Sequence, residues 1–398
     1  MPQAPSRPLV VLQPGAQRRS LAGHPWVYSN EIVMDEAARA LAPGTLVRLA
    51  AADGRPLGTY GFNPHTLIAA RRLSRDPDTI IDAGFIATRL ERALRLRARL
   101  AAEPYYRLIH AEADGLPATI VDRYGDVVVV QLNSAAADRL QPALLEALEA
   151  VLSPAAILLR NDSAARTLEG LPETVTMAKG AIEAPLPLVE NGVRFFADPA
   201  AGQKTGWFYD QRDNRALVAK LARGLSLLDV YAYCGGFAVQ AAAGGAASVL
   251  AIDRSAEALK LAARAAEANG VAGICTFRRG DAFAELGALD EQGVRFDVVV
   301  ADPPAFVKSR KDLPQGLRAY RKLARLSAAL VAPGGFLFLA SCSYHVGPGE
   351  LAAEIARALQ DLRREGRILH QGGAALDHPV HPALPESAYL KAQLLQLD

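Results

Sequence analysis

Short apolar runs broken by glycine, proline and Asn-Pro pairs mark residues 9–75: LVVL, GTLVRLA and TLIAARRL. Runs of that length bounded by turn formers predict short strands, and helical periods are few, so a small β-rich unit is expected. The period then changes. Phe85, Ile86, Leu90, Leu94, Leu96 and Leu100 recur at roughly helical spacing over 82–102, which predicts one helix with its intervening arginines exposed. From 106 to 184 the strand-like stretches ATIVDRYGDVVVVQLN and AAILLRND flank a helix-like stretch near 140–152, an α+β pattern. Beyond about residue 215 apolar strands and helical stretches alternate, as a doubly wound sheet requires.

That last region is organised around SLLDVYAYCGGF, residues 226–237. Leu227, Leu228 and Val230 suit a strand covered on both faces, and Gly235-Gly236 lets the backbone bend sharply and approach a ligand closely. A helix from Phe237 to Ala243, a Gly244-Gly245 stop and a second apolar strand at 247–252 follow, with Asp253 at its end. An acid about 20 residues beyond the glycine turn is placed to bind both hydroxyls of a ribose; the plain alternative is a helix-capping Asp. The spaced glycines of a dinucleotide fingerprint are absent. Asp229, just before the turn, would attract a sulfonium, which favours S-adenosylmethionine over NAD. Helix 256–268, capped by Ser255 and stopped by Asn269-Gly270, leads to strand 274–278 and Asp281, where an adenine amino group could be accepted or a turn simply capped.

Two further strand ends carry candidate chemistry. FDVVVA, 296–301, ends in Asp302-Pro303-Pro304-Ala305-Phe306, a carboxylate followed by prolines that stiffen the turn, in the crevice where open α/β sheets bind ligands. GFLFLA, 335–340, ends in Ser341-Cys342-Ser343-Tyr344-His345, which brings a thiol to the neighbouring strand mouth. Carbon 5 of a pyrimidine is too weak a nucleophile to take a methyl group unless another nucleophile first adds at carbon 6, and a thiolate suits that task. Methylating a guanine amine needs only acceptors and positioning. Cys342 therefore favours cytosine, with Asp302 meeting the base; buried apolar roles are the alternative reading for Cys342 and the expected one for Cys275.

The chain of 398 residues has room for two or three domains. Its three cysteines lie far apart without a CxxC pair, and its seven histidines are scattered, so neither a disulfide framework nor a zinc site is suggested and no metal is assigned. No apolar run suits a signal peptide or a membrane span, so a cytoplasmic protein without a membrane partner is expected. A net charge of +2 restricts any nucleic-acid contact to local patches. Two are visible: Arg71, Arg72 and Arg75, and the loop and helix carrying Lys308, Arg310, Lys311, Arg318, Arg321, Lys322 and Arg325. Solvated faces explain such runs equally well.

Several longer segments resemble a known family. GHPWVYSN with PGTLVRLAAADGRPLGTYGFNP resembles a PUA-type RNA-binding domain, and RLIHAEADGLPATIVDRYGD a central domain. The joint set LLDVYAYCGGF, AIDRS, GDAF, ADPPAFVKS and SCSYH resembles the large-subunit ribosomal RNA 5-methylcytosine methyltransferases. The resemblance implies an α/β chain of three parts: a small β-barrel PUA-like domain at 1–78, a central α+β domain at 79–187 and a Rossmann-like class I methyltransferase domain at 188–398. It implies S-adenosylmethionine as cofactor and 23S rRNA as partner, with a cytosine in a flipped-out or unpaired position, and it admits a homodimer. It also implies that GQKTGWFYDQR closes over the cofactor, with Lys204 and Thr205 near its methionine end. The cofactor-binding set then comprises Asp229, Tyr231, Cys234, Gly235, Gly236, Phe237, Asp253, Arg254, Asp281, Ala282, Lys204, Thr205, Gly206, Asp302 and Pro303, and the catalytic pair is Cys342 with Asp302. One departure is plain: a second cysteine used by another group of RNA 5-methylcytosine enzymes is replaced here by Ala305. The rival readings are a guanine-N2 or other RNA amine methyltransferase on the same scaffold, and a catalytically inert RNA-binding protein.

Overall fold

A computed structural model describes residues 6–398, so the first five residues of the expected PUA-like domain lie outside the described residues. The chain forms two compact units. The first contains the chain up to Ala184 together with two later excursions, Pro199–Trp207 and Asp377–Ser387. The second contains Pro185–Asp198, Phe208–Leu376 and Ala388–Asp398.

In the first unit the early strands form a five-stranded sheet, and Tyr60, Phe62, Val47 and Leu49 fill its core. A second five-stranded sheet follows, antiparallel except for one parallel pair between Val127–Leu132 and Ala156–Asn161. Helices Ala83–Leu100 and Gln141–Leu152 contribute to the core of that sheet. The first of these helices starts where Asp82 accepts the Phe85 N–H, and its buried stripe is Ile86, Leu90, Ala93 and Arg97. Arg97 corrects the expectation that all the arginines of this helix are exposed. It occupies a core position, where both ends of its guanidinium meet Asp114 at 2.7 Å. Asp114 is more than a turn residue, since it also accepts the His110 N–H at 2.7 Å.

The second unit is built on a seven-stranded sheet. Its strands are numbered β1 (Ser226–Val230), β2 (Ser248–Asp253), β3 (Cys275–Arg279), β4 (Phe296–Ala301), β5 (Val331–Ser341), β6 (Gly366–Gly372) and β7 (Lys391–Leu397). The spatial order is β3-β2-β1-β4-β5-β7-β6, parallel through β5 and antiparallel at β7 and β6. The helices are α1 (Arg212–Leu221), α2 (Gly236–Ala243), α3 (Ala256–Ala268), α4 (Ala282–Glu291), α5 (Leu313–Ala329) and α6 (Pro348–Leu362). Strand alternation sorts side chains into two cores. Leu228, Val230, Val299, Leu337 and Leu339 meet α4, α5 and α6, while Leu227, Val298, Val300, Phe338 and Ala340 meet α1 and α2. The chain order reverses between β1 and β4, so the loops after these strands flank the crevice in which such sheets take ligands.

Candidate active site

The turn after β1 is strained as well as tight. Tyr231, Tyr233 and Gly235 all have positive φ, at 67°, 48° and 77°. For two tyrosines that is an uncommon conformation, and the Asp253 carboxylate helps to hold it: Oδ2 accepts the Tyr233 N–H and Oδ1 the Ser255 N–H, each at 2.8 Å. Each carboxylate oxygen retains a lone pair for a further donor, such as a ribose hydroxyl.

Asp229 lies beneath the same turn, 1% exposed, and its Oδ2 accepts the Ala238 N–H at 3.0 Å near the start of α2. Its Oδ1 is buried with no hydrogen-bond partner. Burial pushes its carboxyl up to about 7, against the lowering effect of the Ala238 bond and with a smaller push from Asp302. An orphaned buried acceptor at this point fits a ligand that brings a donor.

At both glycines the side on which a Cβ would stand is occupied by protein. A Cβ at Gly235 would lie 2.8 Å from the Ala262 Cβ, and one at Gly236 would lie 2.5 Å from Arg215 Nε. Space at Gly236 is thus taken by a buried guanidinium, which donates to Glu190 at 2.7 Å and lies 5.7 Å from the centre of the Phe237 ring. Phe237 packs on Phe338 at 5.2 Å, and the buried Cys234 thiol is pushed up to about 12 by desolvation. At the end of β3, one oxygen of Asp281 accepts the Phe283 and Ala284 N–H groups, so this acid caps α4. Ala282 is buried in the first turn of that helix, Tyr231 packs against the core beside α4, and Arg254 is exposed.

The loops after β4 and β5 meet. Asp302 is half-buried, and its N–H reaches the Val230 carbonyl at 3.4 Å. Cys342 is half-buried, and its Sγ lies 3.9 Å from the Pro303 carbonyl oxygen, one residue beyond Asp302. On either side of it, Ser341 and Ser343 are wholly buried and share the Tyr320 hydroxyl, each at 2.8 Å. Ser343 Oγ also accepts the Val307 N–H at 3.1 Å. Tyr344 is exposed, with its ring edge-on to His345. Cys342 thus stands partly exposed at the mouth of the sheet, packed against the core on the side of α1 and α2, while its neighbours are locked.

Lys204, Thr205 and Gly206 belong to the first unit. Thr205 is buried there, and its hydroxyl donates to Asp122 at 2.5 Å, so its side chain has no donor left for a cofactor. In the first basic patch two of the three arginines are already engaged within the protein. Arg71 is paired with Glu112 and Glu169, and Arg72 donates to the Gly23 and Ser20 carbonyls; Arg75 is exposed. In the second patch Arg321 is tied to Asp361 and Lys322 sits over Phe283, while Lys308, Arg310, Lys311 and Arg318 are exposed. Three residues that organise this region carry no signal in the chain order: Arg215, Tyr320 and Lys391 become neighbours of the site only through the sheet. No helix among the described residues is long and apolar enough to cross a membrane.

Comparison with known proteins agrees with this geometry. Residues 157–396 match the family described as S-adenosylmethionine-dependent methyltransferase, and residues 10–75 match a PUA-like domain. The chain is 37% identical over 387 residues to the ribosomal RNA large subunit methyltransferase I of Shewanella denitrificans, covering 96% of this chain and 97% of that one. It is 36% identical over 391 residues to the protein of the same name from Cronobacter sakazakii, again covering 96% and 97%. Among solved structures, a candidate SAM-dependent methyltransferase from Streptococcus mutans superposes with a TM-score of 0.82 at 18% identity, covering 98% of this chain and 100% of that one. A candidate methyltransferase solved in complex with SAH gives 0.83 at 18% identity, covering 98% and 99%.

Proposed function

Because the chain belongs to the ribosomal RNA large subunit methyltransferase I family, we propose that it forms 5-methylcytosine in 23S rRNA through a covalent adduct of Cys342. The observation that carries this reading is the half-buried Cys342 at the mouth beside Asp302, with its sulfur 3.9 Å from the Pro303 carbonyl. S-adenosylmethionine, when bound, supplies an electrophilic methyl group on a sulfonium. Asp253 is suited to its ribose and the open Oδ1 of Asp229 to a donor at its other end, with the turn at Tyr231, Gly235 and Gly236 between them.

Asp302 accepts a hydrogen bond from the cytosine and fixes the ring in the crevice. The Cys342 thiolate adds to carbon 6, which leaves electron density on carbon 5 and makes it nucleophilic. After carbon 5 is methylated, loss of its proton expels the thiolate and restores the ring. With Ala305 where other enzymes carry a second cysteine, that proton leaves to another base, and the half-buried His345 or water is suited to the task. The target base has to leave its stack to reach the crevice, and the exposed Lys308, Arg310, Lys311 and Arg318 are suited to the neighbouring phosphates. In this division of labour the PUA-like residues 1–78 contact RNA, 188–398 carry out the chemistry, and the protein works in the cytoplasm.

Cys342→Ala tests the mechanism. It is expected to retain S-adenosylmethionine binding by calorimetry and to lose methyl transfer, with 5-methylcytidine absent from the digested RNA by mass spectrometry. Undiminished 5-methylcytidine formation by this variant would overturn the adduct, and a methylated guanosine product in the wild type would overturn the choice of base.

A further inference from the structure

Lys391 is the least economical residue in the second unit. It begins β7 directly opposite Ser341 in the antiparallel register, and only 6% of it is exposed. Its Nζ donates to the Ser343 carbonyl at 2.6 Å and to the Tyr389 carbonyl at 2.7 Å. No carboxylate lies within 4 Å of it among the described residues. A buried ammonium without an acid partner costs stability, since carbonyl dipoles replace only part of its hydration. A side chain of that length at a buried edge of two apolar cores would pack as well as methionine. What the amine adds is a charge.

That charge sits beside the candidate nucleophile. Ser341 and Ser343, the residues Lys391 faces and bonds, are those that bracket Cys342, and the interaction with Cys342 is the largest single charge effect acting on Lys391. Burial holds the ammonium down to about 8, while Cys342 and, more weakly, Glu350 support it. Titratable groups near the pair include Tyr320 from α5, whose hydroxyl is pushed up by burial, and Glu350 from α6, with Asp302 one residue before the Pro303 carbonyl that the sulfur approaches. Neither carboxylate favours a thiolate. Lys391 supplies a positive charge that does.

We propose that Lys391 is the positioning residue that makes Cys342 a thiolate: its ammonium, held against the Ser343 carbonyl, is the buried counter-charge of the sulfur. The inference rests on Cys342 being the nucleophile. In the ionisation the S–H bond breaks, the electron pair stays on sulfur and the proton leaves to water at the half-exposed mouth. Nothing is oxidised or reduced. The same amine clamps the backbone after Cys342, so charge and geometry are set by one side chain.

The test is the pH dependence of Cys342 alkylation by iodoacetamide in the full chain without RNA, followed by mass spectrometry of the Cys342 peptide. Lys391→Met is expected to move the midpoint to higher pH by about one unit and to slow alkylation at pH 7 about tenfold, because an opposite charge close by lowers a thiol by at least that much. An unchanged profile in a variant that still binds S-adenosylmethionine overturns the inference. If Lys391→Met fails to fold, Lys391→Arg carries the test: a fixed cation keeps the midpoint at or below that of the wild type, and a rise overturns the proposal. Cys342→Ala separates the two readings. Retained methyl transfer in that variant removes the nucleophile itself, whereas loss of transfer together with an unmoved alkylation profile in Lys391→Met removes only the role of Lys391.

Discussion

The Ser343 hydroxyl accepts the Val307 N–H at 3.1 Å, and so bonds the loop that carries Cys342 to the loop that carries Asp302. With the Cys342 sulfur at the Pro303 carbonyl, the two strand mouths are joined at two points, both in the few residues that follow the acid. Parallel strands alone fix their own ends only as far as the ladder runs, and β4 ends at Ala301 and β5 at Ser341. What lies beyond them is set by side chains.

Tyr320 is the hub of that arrangement, because its hydroxyl is shared by Ser341 and Ser343 in a fully buried cluster. Tyr320→Phe leaves two serine hydroxyls one partner short without opening a cavity, so about 1–3 kcal/mol of stability is expected to be lost. Urea unfolding measures it. Methyl transfer is expected to fall through kcat with the KM for S-adenosylmethionine little changed, since the hydroxyl orders the loop that carries Cys342 and not the turn after β1. Loss confined to cofactor affinity would place Tyr320 elsewhere in the mechanism.

Asp229 gives a pH prediction whose sign is fixed by its environment. Burial raises its carboxyl to about 7, above the value near 4 of an unfolded chain. Between those two values the folded protein holds a proton that the unfolded chain has released, so stability falls as pH rises through this window and is flat on either side. The penalty above pH 7 is on the order of 2–4 kcal/mol. Asp229→Asn keeps an acceptor for the Ala238 N–H and removes the titration. It is expected to unfold at higher denaturant than the wild type at pH 8, to match it more closely at pH 5, and to bind S-adenosylmethionine more weakly. An equal slope with pH in both proteins would assign the titration to another group.

These two residues also mark what was readable along the chain. Asp229, Asp253, Asp302 and Cys342 stand at the ends of apolar strands, and in an α/β sheet a strand end is a place, so their neighbourhood follows from order alone. The helix Ala256–Ala268 and the strand Phe296–Ala301 are read with their observed bounds because cap, period and stop agree. Tyr320 and Lys391 were not legible. One reads as part of an amphipathic helix and the other as the start of a last strand, and only the packing of α5 and the antiparallel insertion of β7 bring them to Cys342. The excursions Pro199–Trp207 and Asp377–Ser387 look like loops of the methyltransferase part but fold with the first unit, through bonds such as Thr205 to Asp122 and Arg97 to the Asp377 carbonyl. Contacts between residues so distant in the chain leave no periodic trace. Arginine is the residue type whose place departs most from the sequence reading, because Arg71, Arg72 and Arg97 each meet a fixed acceptor, which composition does not report.

Arg97 carries the largest stability prediction. Its guanidinium is fully buried, bidentate to Asp114 and bonded to the carbonyls of Arg107 and Asp377, and Asp114 depends on it for neutralisation. Removing one partner of such a pair leaves an uncompensated charge, which costs about 3–5 kcal/mol, whereas removing both leaves mainly the lost hydrogen bonds. Arg97→Met is therefore expected to lower stability by about 3–5 kcal/mol, and the double variant Arg97→Met with Asp114→Asn is expected to recover a substantial part of it, with the sum of the single costs exceeding the cost of the pair. Equilibrium unfolding of the four proteins gives the coupling. Strict additivity would mean that Asp114 keeps its charge satisfied through the His110 N–H alone, and that the arginine contributes no more than its carbonyl bonds.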